Sequence, residues 1–295
     1  MSEVPALSEK LGFIGVGAMG SAIASRLVAD HDLYVSDLNR PAADELVSQG
    51  ATFMSADETA KHCRYVFLSL PGPANVFDLL LGDQGIARHF ARGTLVIDTT
   101  TGAPTTDREI VPALAELGVD FVDAPIAGGV TRARAGTATL MVGGSEQAFA
   151  KARDLLLAVT PDVFHVGPAG TGHAMKLVNN LLNSCNRFAA LEAVRLGQAC
   201  GIDQDTVVEV INKSSSRNYT TEHTFPQLLS GGSYRAQGFT LQLMLKDLHL
   251  ANEMAESLGH ATPIGHLVEE FTMEAIDRFG PDADQSQFMA EWYAD

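Results

Sequence analysis

The stretch LGFIGVGAMGSAIASRLVAD, Leu11 to Asp30, decides how the rest of the chain is read. An apolar run leads into glycines at 15, 17 and 20, and the apolar spacing then changes from that of a strand to that of a helix. GxGxxG spacing alone is a weak signal, because a chain with 27 glycines produces it by chance. The context gives it weight. LGFIGV reads as a strand, AMGSAIASRLVAD opens a helix, and the next strand, LYVSD (33–37), ends in an acid about 20 residues beyond the first glycine.

In that setting Gly15 allows a tight turn, Gly17 lets a pyrophosphate approach the backbone, and Gly20 lets the helix lie close to the strand. The phosphates of a dinucleotide would then meet the N–H groups that open the helix, at Ala18 and Met19. Asp37 would accept hydrogen bonds from the ribose hydroxyls and repel a 2′-phosphate, which favours NAD over NADP. Arg40 is the competing feature, since it could reach a 2′-phosphate if its loop folds back.

Outward from this stretch, short apolar runs alternate with amphipathic segments as far as Gly167. LYVSD, YVFLSL, TLVIDT, FVDAPI and VFHV are dominated by Val, Ile, Leu and Phe, the pattern of a parallel sheet covered on both faces. TATLMVGG (137–144) reads as a further strand, antiparallel and at an edge. Beyond VGPAGTG no strand is expected, while residues 172–201 hold helical apolar spacing for roughly 28 positions, a helix of ~40 Å. Further helices are expected in 203–214, 239–259 and 263–280, with Gly201, Gly259 and Gly280 as stops. The predicted fold class is α/β: an N-terminal Rossmann, doubly wound sheet over 1–168, then an all-α substrate and oligomerisation domain over 169–295, linked by the long helix.

At 295 residues and 46% hydrophobic, the chain can build two cores. Its net charge of −16 argues against nucleic acid, which needs clustered Lys and Arg. No run approaches the ~18 apolar residues of a membrane helix, and MSEVPALSEK does not read as a secretory signal. Cys63, Cys185 and Cys200 form no CxxC pair, so a reduced, cytoplasmic setting is expected. No histidine and carboxylate cluster stands at ligand spacing, so no metal is expected; His173 and His249 read as structural.

Lys176 lies early in the long helix with Asn180 one turn later, so both project from one face. Spacing alone reads first as a lysine snorkelling at a helix edge, with a helix-surface asparagine. A partly desolvated lysine, however, has its pKa lowered toward neutrality, which suits acid/base work.

Four blocks in order, GFIGVGAMG, VDAPIAGGVTRARAGTATLMVGG, GHAMKLVNN and FTLQLMLKDLHLA, resemble the β-hydroxyacid dehydrogenases, which include 3-hydroxyisobutyrate dehydrogenase and tartronate semialdehyde reductase, over nearly the whole chain. The resemblance implies an NAD-dependent oxidoreductase acting on a small 3-hydroxy acid or its semialdehyde. Lys176 would be the general acid/base and Asn180 would bind the hydroxyl or orient the lysine; Asn179 faces about 100° away. Gly128 and Gly129 would offer backbone N–H groups to the substrate carboxylate, unless they form only a flexible loop. The family's serine before them is Ala127 here, which leaves the choice of hydroxy acid open.

By the same resemblance Leu70, Pro71, Asn75 and Thr101 would contact the cofactor, and Lys246 would reach it with Asp247 orienting the amine, a surface ion pair being the alternative. Arg217, in SSSRNY, would bind an anionic group or simply face solvent. A short-chain carboxylate semialdehyde reductase and a non-catalytic NAD-binding sensor are the competing functions; a sensor has no need of the Lys176 and Asn180 pair. A homodimer or homotetramer through the helical domain is expected.

Overall fold

The computed structural model describes residues 10–229 and 236–291. The chain divides into two compact units after Lys176. The first unit alternates β1 (Leu11–Ile14), α1 (Ala18–Ala24), β2 (Leu33–Ser36), α2 (Asp44–Ser48), β3 (Thr52–Phe53), α3 (Ala56–His62), β4 (Tyr65–Leu68), α4 (Pro73–Leu81), β5 (Leu95–Asp98), α5 (Pro104–Glu116), β6 (Asp120–Asp123), β7 (Ile126–Ala127), α6 (Gly129–Arg134), β8 (Thr139–Gly143), α7 (Glu146–Val159) and β9 (Asp162–Gly167). Its sheet runs β3-β2-β1-β4-β5-β6-β8-β7, with β9 pairing β8. Every pair from β3 to β6 is parallel, and β1 sits in register with both neighbours, Leu11 opposite Leu33 and Tyr65.

Strand order reverses at β1, and alternate residues feed opposite faces. Phe13, Phe67 and Ile97 enter one apolar cluster, while Ile14, Val66, Leu68 and Val96 enter the other. That two-sided burial explains why these strands read as continuous apolar runs rather than alternating ones. Phe13 and Phe67 stack across β1 and β4 with centroids 5.5 Å apart. Ser55 and Ser145 cap α3 and α7 by accepting from Glu58 N and Ala148 N, each cap contributing about 1 kcal/mol.

Two sequence expectations are corrected here. FVDAPI is not one strand: it breaks at Ala124 and Pro125 into β6 and β7. The strand in TATLMVGG, β8, is antiparallel to both, as expected, but it is not an edge. After α7 the chain returns and lays β9 parallel along the free side of β8, so β9 is the outer strand, with Phe164 57% exposed. Periodicity could not show this, because both runs are short and apolar.

Helix α8 (Thr171–Ala199) begins in the first unit and ends in the second. The second unit continues with α9 (Gln204–Asn212), a π-helical turn at Thr220–Thr224, α10 (Phe225–Leu229), α11 (Leu241–Ser257), α12 (Pro263–Phe279) and α13 (Gln285–Glu291). Among its described residues the only β feature is an isolated bridge between Thr240 and Asp284. Phe188, Leu191, Val194, Leu241, Met244, Leu248 and Phe288 form its core. The π-helical turn, α10 and α13 were not expected from the sequence; each is too short to show a period. No described helix is long and apolar enough to cross a membrane.

Candidate active site

The loops after β1, β2, β4 and β5 converge at the carboxyl end of the sheet, beside the strand-order reversal where open α/β sheets bind ligands. Gly15 N donates to Ser36 O at 2.8 Å and Val16 N donates to Asp37 Oδ2 at 2.8 Å, which fixes Asp37 against the glycine turn. Asp37 Oδ1 accepts from Asn39 N, also at 2.8 Å. Leu70 N donates to Thr100 Oγ1 at 3.0 Å, joining the β4 loop to the stretch that carries Thr101. Leu70 and Thr101 are half-buried, whereas Pro71 and Asn75 are exposed. Arg40, the competing feature for a 2′-phosphate, pairs with Asp44 at 2.6 Å and lies over the Phe53 ring at 4.3 Å.

The three glycines differ in what holds them. Gly15 has φ +89°, and a Cβ there would lie 2.3 Å from Ser69 O. At Gly20 a Cβ would lie 1.9 Å from Gly15 O, so α1 packs against the turn with no room for a side chain. Gly17 is exposed, has ordinary extended angles (φ −62°, ψ −165°), and a Cβ would meet nothing within 4 Å. The protein's own packing does not require glycine there. Open space instead adjoins the first turn of α1, whose N–H groups have no partner inside the helix, and exposed Ala18 and half-buried Met19 border it. Free N–H groups beside open space suit a dinucleotide's phosphates.

Gly128 (φ +128°) links β7 to α6 and Gly129 (φ +73°) opens that helix, both in the left-handed region that favours glycine. Ala127, before them, is half-buried. Lys176 is half-buried at the close of the first unit, and the second unit begins one residue later.

Within the second unit Asn180 Nδ2 donates to Asp247 Oδ2 at 2.6 Å, and Asn180 Oδ1 accepts from Asn179 Nδ2 at 3.0 Å. Asp247 is buried and pairs with half-buried Lys246 at 3.2 Å, so Asn180, Asp247 and Lys246 form one network. Arg217 is exposed and stands outside it.

One group was not singled out from the sequence. Asp98, Asp107, Asp123 and His173 are all buried, with His173 Nδ1 2.7 Å from Asp107 Oδ2 and Nε2 3.7 Å from Asp98 Oδ2. Asp123 accepts from Gly170 N and His173 N, both at 2.8 Å. Asp107, Asp123 and His173 bring ligand-type atoms within 4.8 Å of one another, but these atoms are already bonded through N–H groups. The available signal was positional: Asp98 and Asp123 each end a parallel strand, at the carboxyl end of the sheet, outside which open α/β sheets bind ligands.

Two family models cover the chain. Residues 10–167 match one described as the NAD binding domain of 6-phosphogluconate dehydrogenase, and residues 170–292 match one described as NAD-binding of NADP-dependent 3-hydroxyisobutyrate dehydrogenase. The chain is 38% identical to 2-(hydroxymethyl)glutarate dehydrogenase of Eubacterium barkeri, over 83% of its own length and 82% of that protein's. It is also 38% identical to the NAD-dependent L-serine dehydrogenase of Pseudomonas aeruginosa, over 88% and 89%. The solved structure of Mycobacterium tuberculosis 3-hydroxyisobutyrate dehydrogenase with L-serine superposes with a TM-score of 0.88 at 26% identity, covering 97% of this chain and 99% of that one. With matches spanning both units, the chain belongs to the β-hydroxyacid dehydrogenase family.

Proposed function

We propose that the protein is an NAD-dependent dehydrogenase that interconverts a short 3-hydroxy acid of 3-hydroxyisobutyrate type and its semialdehyde. The observation that carries this reading is Lys176 placed one helical turn before Asn180 on α8, in a chain whose β1 turn leaves open space at Gly17. The relatives narrow the substrate class. 3-Hydroxyisobutyrate, L-serine and 2-(hydroxymethyl)glutarate all carry a CH2OH and a carboxylate on one carbon, and differ only in that carbon's other substituent. The substrate is accordingly a 2-substituted 3-hydroxypropionate.

Gly15, Gly17, Ala18, Met19 and Gly20 hold the cofactor's pyrophosphate and Asp37 its ribose, with Leu70, Pro71, Asn75, Thr101 and Lys246 as its further contacts. Bound NAD supplies the acceptor for the hydride that leaves the hydroxyl-bearing carbon. Lys176 takes up the hydroxyl proton at Nζ during oxidation. In reduction its ammonium polarises the carbonyl and stabilises the developing alkoxide.

Asn180 has one amide hydrogen committed to Asp247, so its second N–H is the donor for the substrate oxygen. Backbone N–H groups at Gly128 and Gly129 hold the carboxylate without the hydroxyl that a serine at 127 would add. Arg217 supplies a charge-assisted contact to an anionic group. NAD is preferred over NADP, since Asp37 borders the ribose and Arg40 is engaged with Asp44.

We further place the protein in the cytoplasm as a homodimer or homotetramer. Exposed Leu182, Leu196, Ile264 and Leu267 on α8 and α12 support an association surface in the helical unit. The test of function is a panel of 2-substituted 3-hydroxypropionates and their semialdehydes, each with NAD and with NADP, followed at the NADH absorbance band. Turnover of at least one pair, faster with NAD, is expected; no turnover across the panel would sink the reading.

A further inference from the structure

His173 precedes Lys176 by three residues on α8, and the chemistry above makes no use of it. Groups of the first unit close its ring in from three elements: Asp107 of α5 on Nδ1, Asp98 at the end of β5 near Nε2, and Asp123 at the end of β6 on the residue's own backbone N–H. All four residues are 3% exposed or less. A neutral ring would take from Asp98, Asp107 and Asp123 the positive charge that all three buried carboxylates face, and uncompensated buried charge is costly. With a proton on each nitrogen, the ring serves Asp107 and faces Asp98 at once. The ring also bears on the β5 loop: a Cβ at Gly102 would lie 2.5 Å from His173 Cε1, so the residue after Thr101 packs its backbone against the imidazole.

We propose that His173 is a positioning residue for Lys176: as an imidazolium held by Asp98, Asp107 and Asp123, it fixes the first turn of α8 against the loops at the strand ends, and loss of its proton releases that turn. The inference rests on reading Lys176 as the general base. Burial works against the ring's charge, but Asp107, by charge and hydrogen bond, together with Asp98 and Asp123, outweighs it and lifts His173 to about 9. Burial lifts Asp98 to about 6, against the opposing pull of His173. The charged ring is therefore the form present at neutral pH.

The test uses the full-length enzyme in the oxidation direction, from about pH 6 to about pH 10, with kcat, KM and the NMR signals of labelled imidazoles measured together. In that direction Lys176 must be neutral to accept a proton, so loss of its own proton cannot slow the reaction, and a fall in rate at high pH reports another group. Wild-type kcat is expected to fall as pH rises through the titration of the His173 ring. Asp98→Asn should move the ring titration and the alkaline limb together to lower pH. His173→Asn should remove the limb and lower kcat by about 100-fold with NADH affinity retained.

A His173 ring already neutral at neutral pH would overturn the proposal. So would an alkaline limb that stays in place in Asp98→Asn while the ring titration moves. The Asp98→Asn comparison decides the matter even if His173→Asn fails to fold. A failure of the functional reading shows separately, as a wild-type enzyme that oxidises no hydroxy acid.

Discussion

Gly17→Ala separates a glycine kept for the fold from one kept for a ligand. The backbone at Gly17 is open to any residue, and a Cβ there meets no atom within 4 Å. The variant should therefore fold with stability within about 0.5 kcal/mol of wild type. If the proposed pyrophosphate contact lies on that backbone, the added methyl would overpack it. On the scale of overpacking in close-packed sites this costs about 1–3 kcal/mol, roughly 5- to 150-fold in Kd. Gly20→Ala is the opposite case: its Cβ would fall 1.9 Å from Gly15 O, so backbone must move and the melting temperature should drop. Thermal melts and NADH fluorescence titrations on both variants make the comparison. Gly17→Ala binding NADH as tightly as wild type would refute the reasoning.

Other perturbations have equally definite outcomes. His173 is held above its ordinary 6.5, so its contribution to stability is fully present below about pH 6.5 and is lost as pH rises through about 9; the loss is on the order of 3 kcal/mol. Asp98, raised to about 6, also favours the protonated form and so adds no stability as pH rises. Denaturant midpoints across that range should fall in wild type and flatten in His173→Asn; a flat wild-type curve would contradict the assignment. Asn180→Ala removes the donor to buried Asp247, which should cost about 1–3 kcal/mol and lower kcat/KM; unchanged melts and kinetics would argue against the network. Arg187 is 1% exposed, burial lowers its pKa to about 10, and its Nε has no partner among the described residues. Asp284 and Tyr219 act against that burial cost, so Arg187→Met takes away a charge partner of buried Asp284 and should lower the melting temperature, by about 3–5 kcal/mol of stability; an unchanged melt would show that Asp284 is held by its own hydrogen bonds alone.

What could be read from the sequence was what local chemistry alone dictates. The β1 turn was legible because strand, glycines and strand-end acid are contiguous, and α8 because its apolar spacing persists from Thr171 to Ala199. The break at Pro125 and the placing of β9 beside β8 were not, since pairing partners are set by tertiary contacts between short runs of similar composition. The four-membered buried cluster was invisible for a related reason. Asp98, Asp107, Asp123 and His173 are spread over the sequence, and each alone resembles an ordinary polar residue near an element's end. Asn180 draws attention by its place one turn after Lys176 and by the family resemblance, but its tie to Asp247, 67 residues on, needed the fold.

The most direct test compares Lys176→Ala with wild type: the rate of NADH formation from the best 3-hydroxy acid, alongside NADH binding to the same samples. The account expects the rate to fall roughly 100- to 10,000-fold, the range for loss of a general acid/base, with binding intact. A variant that keeps the wild-type rate would contradict it, because the proton would then leave by another route.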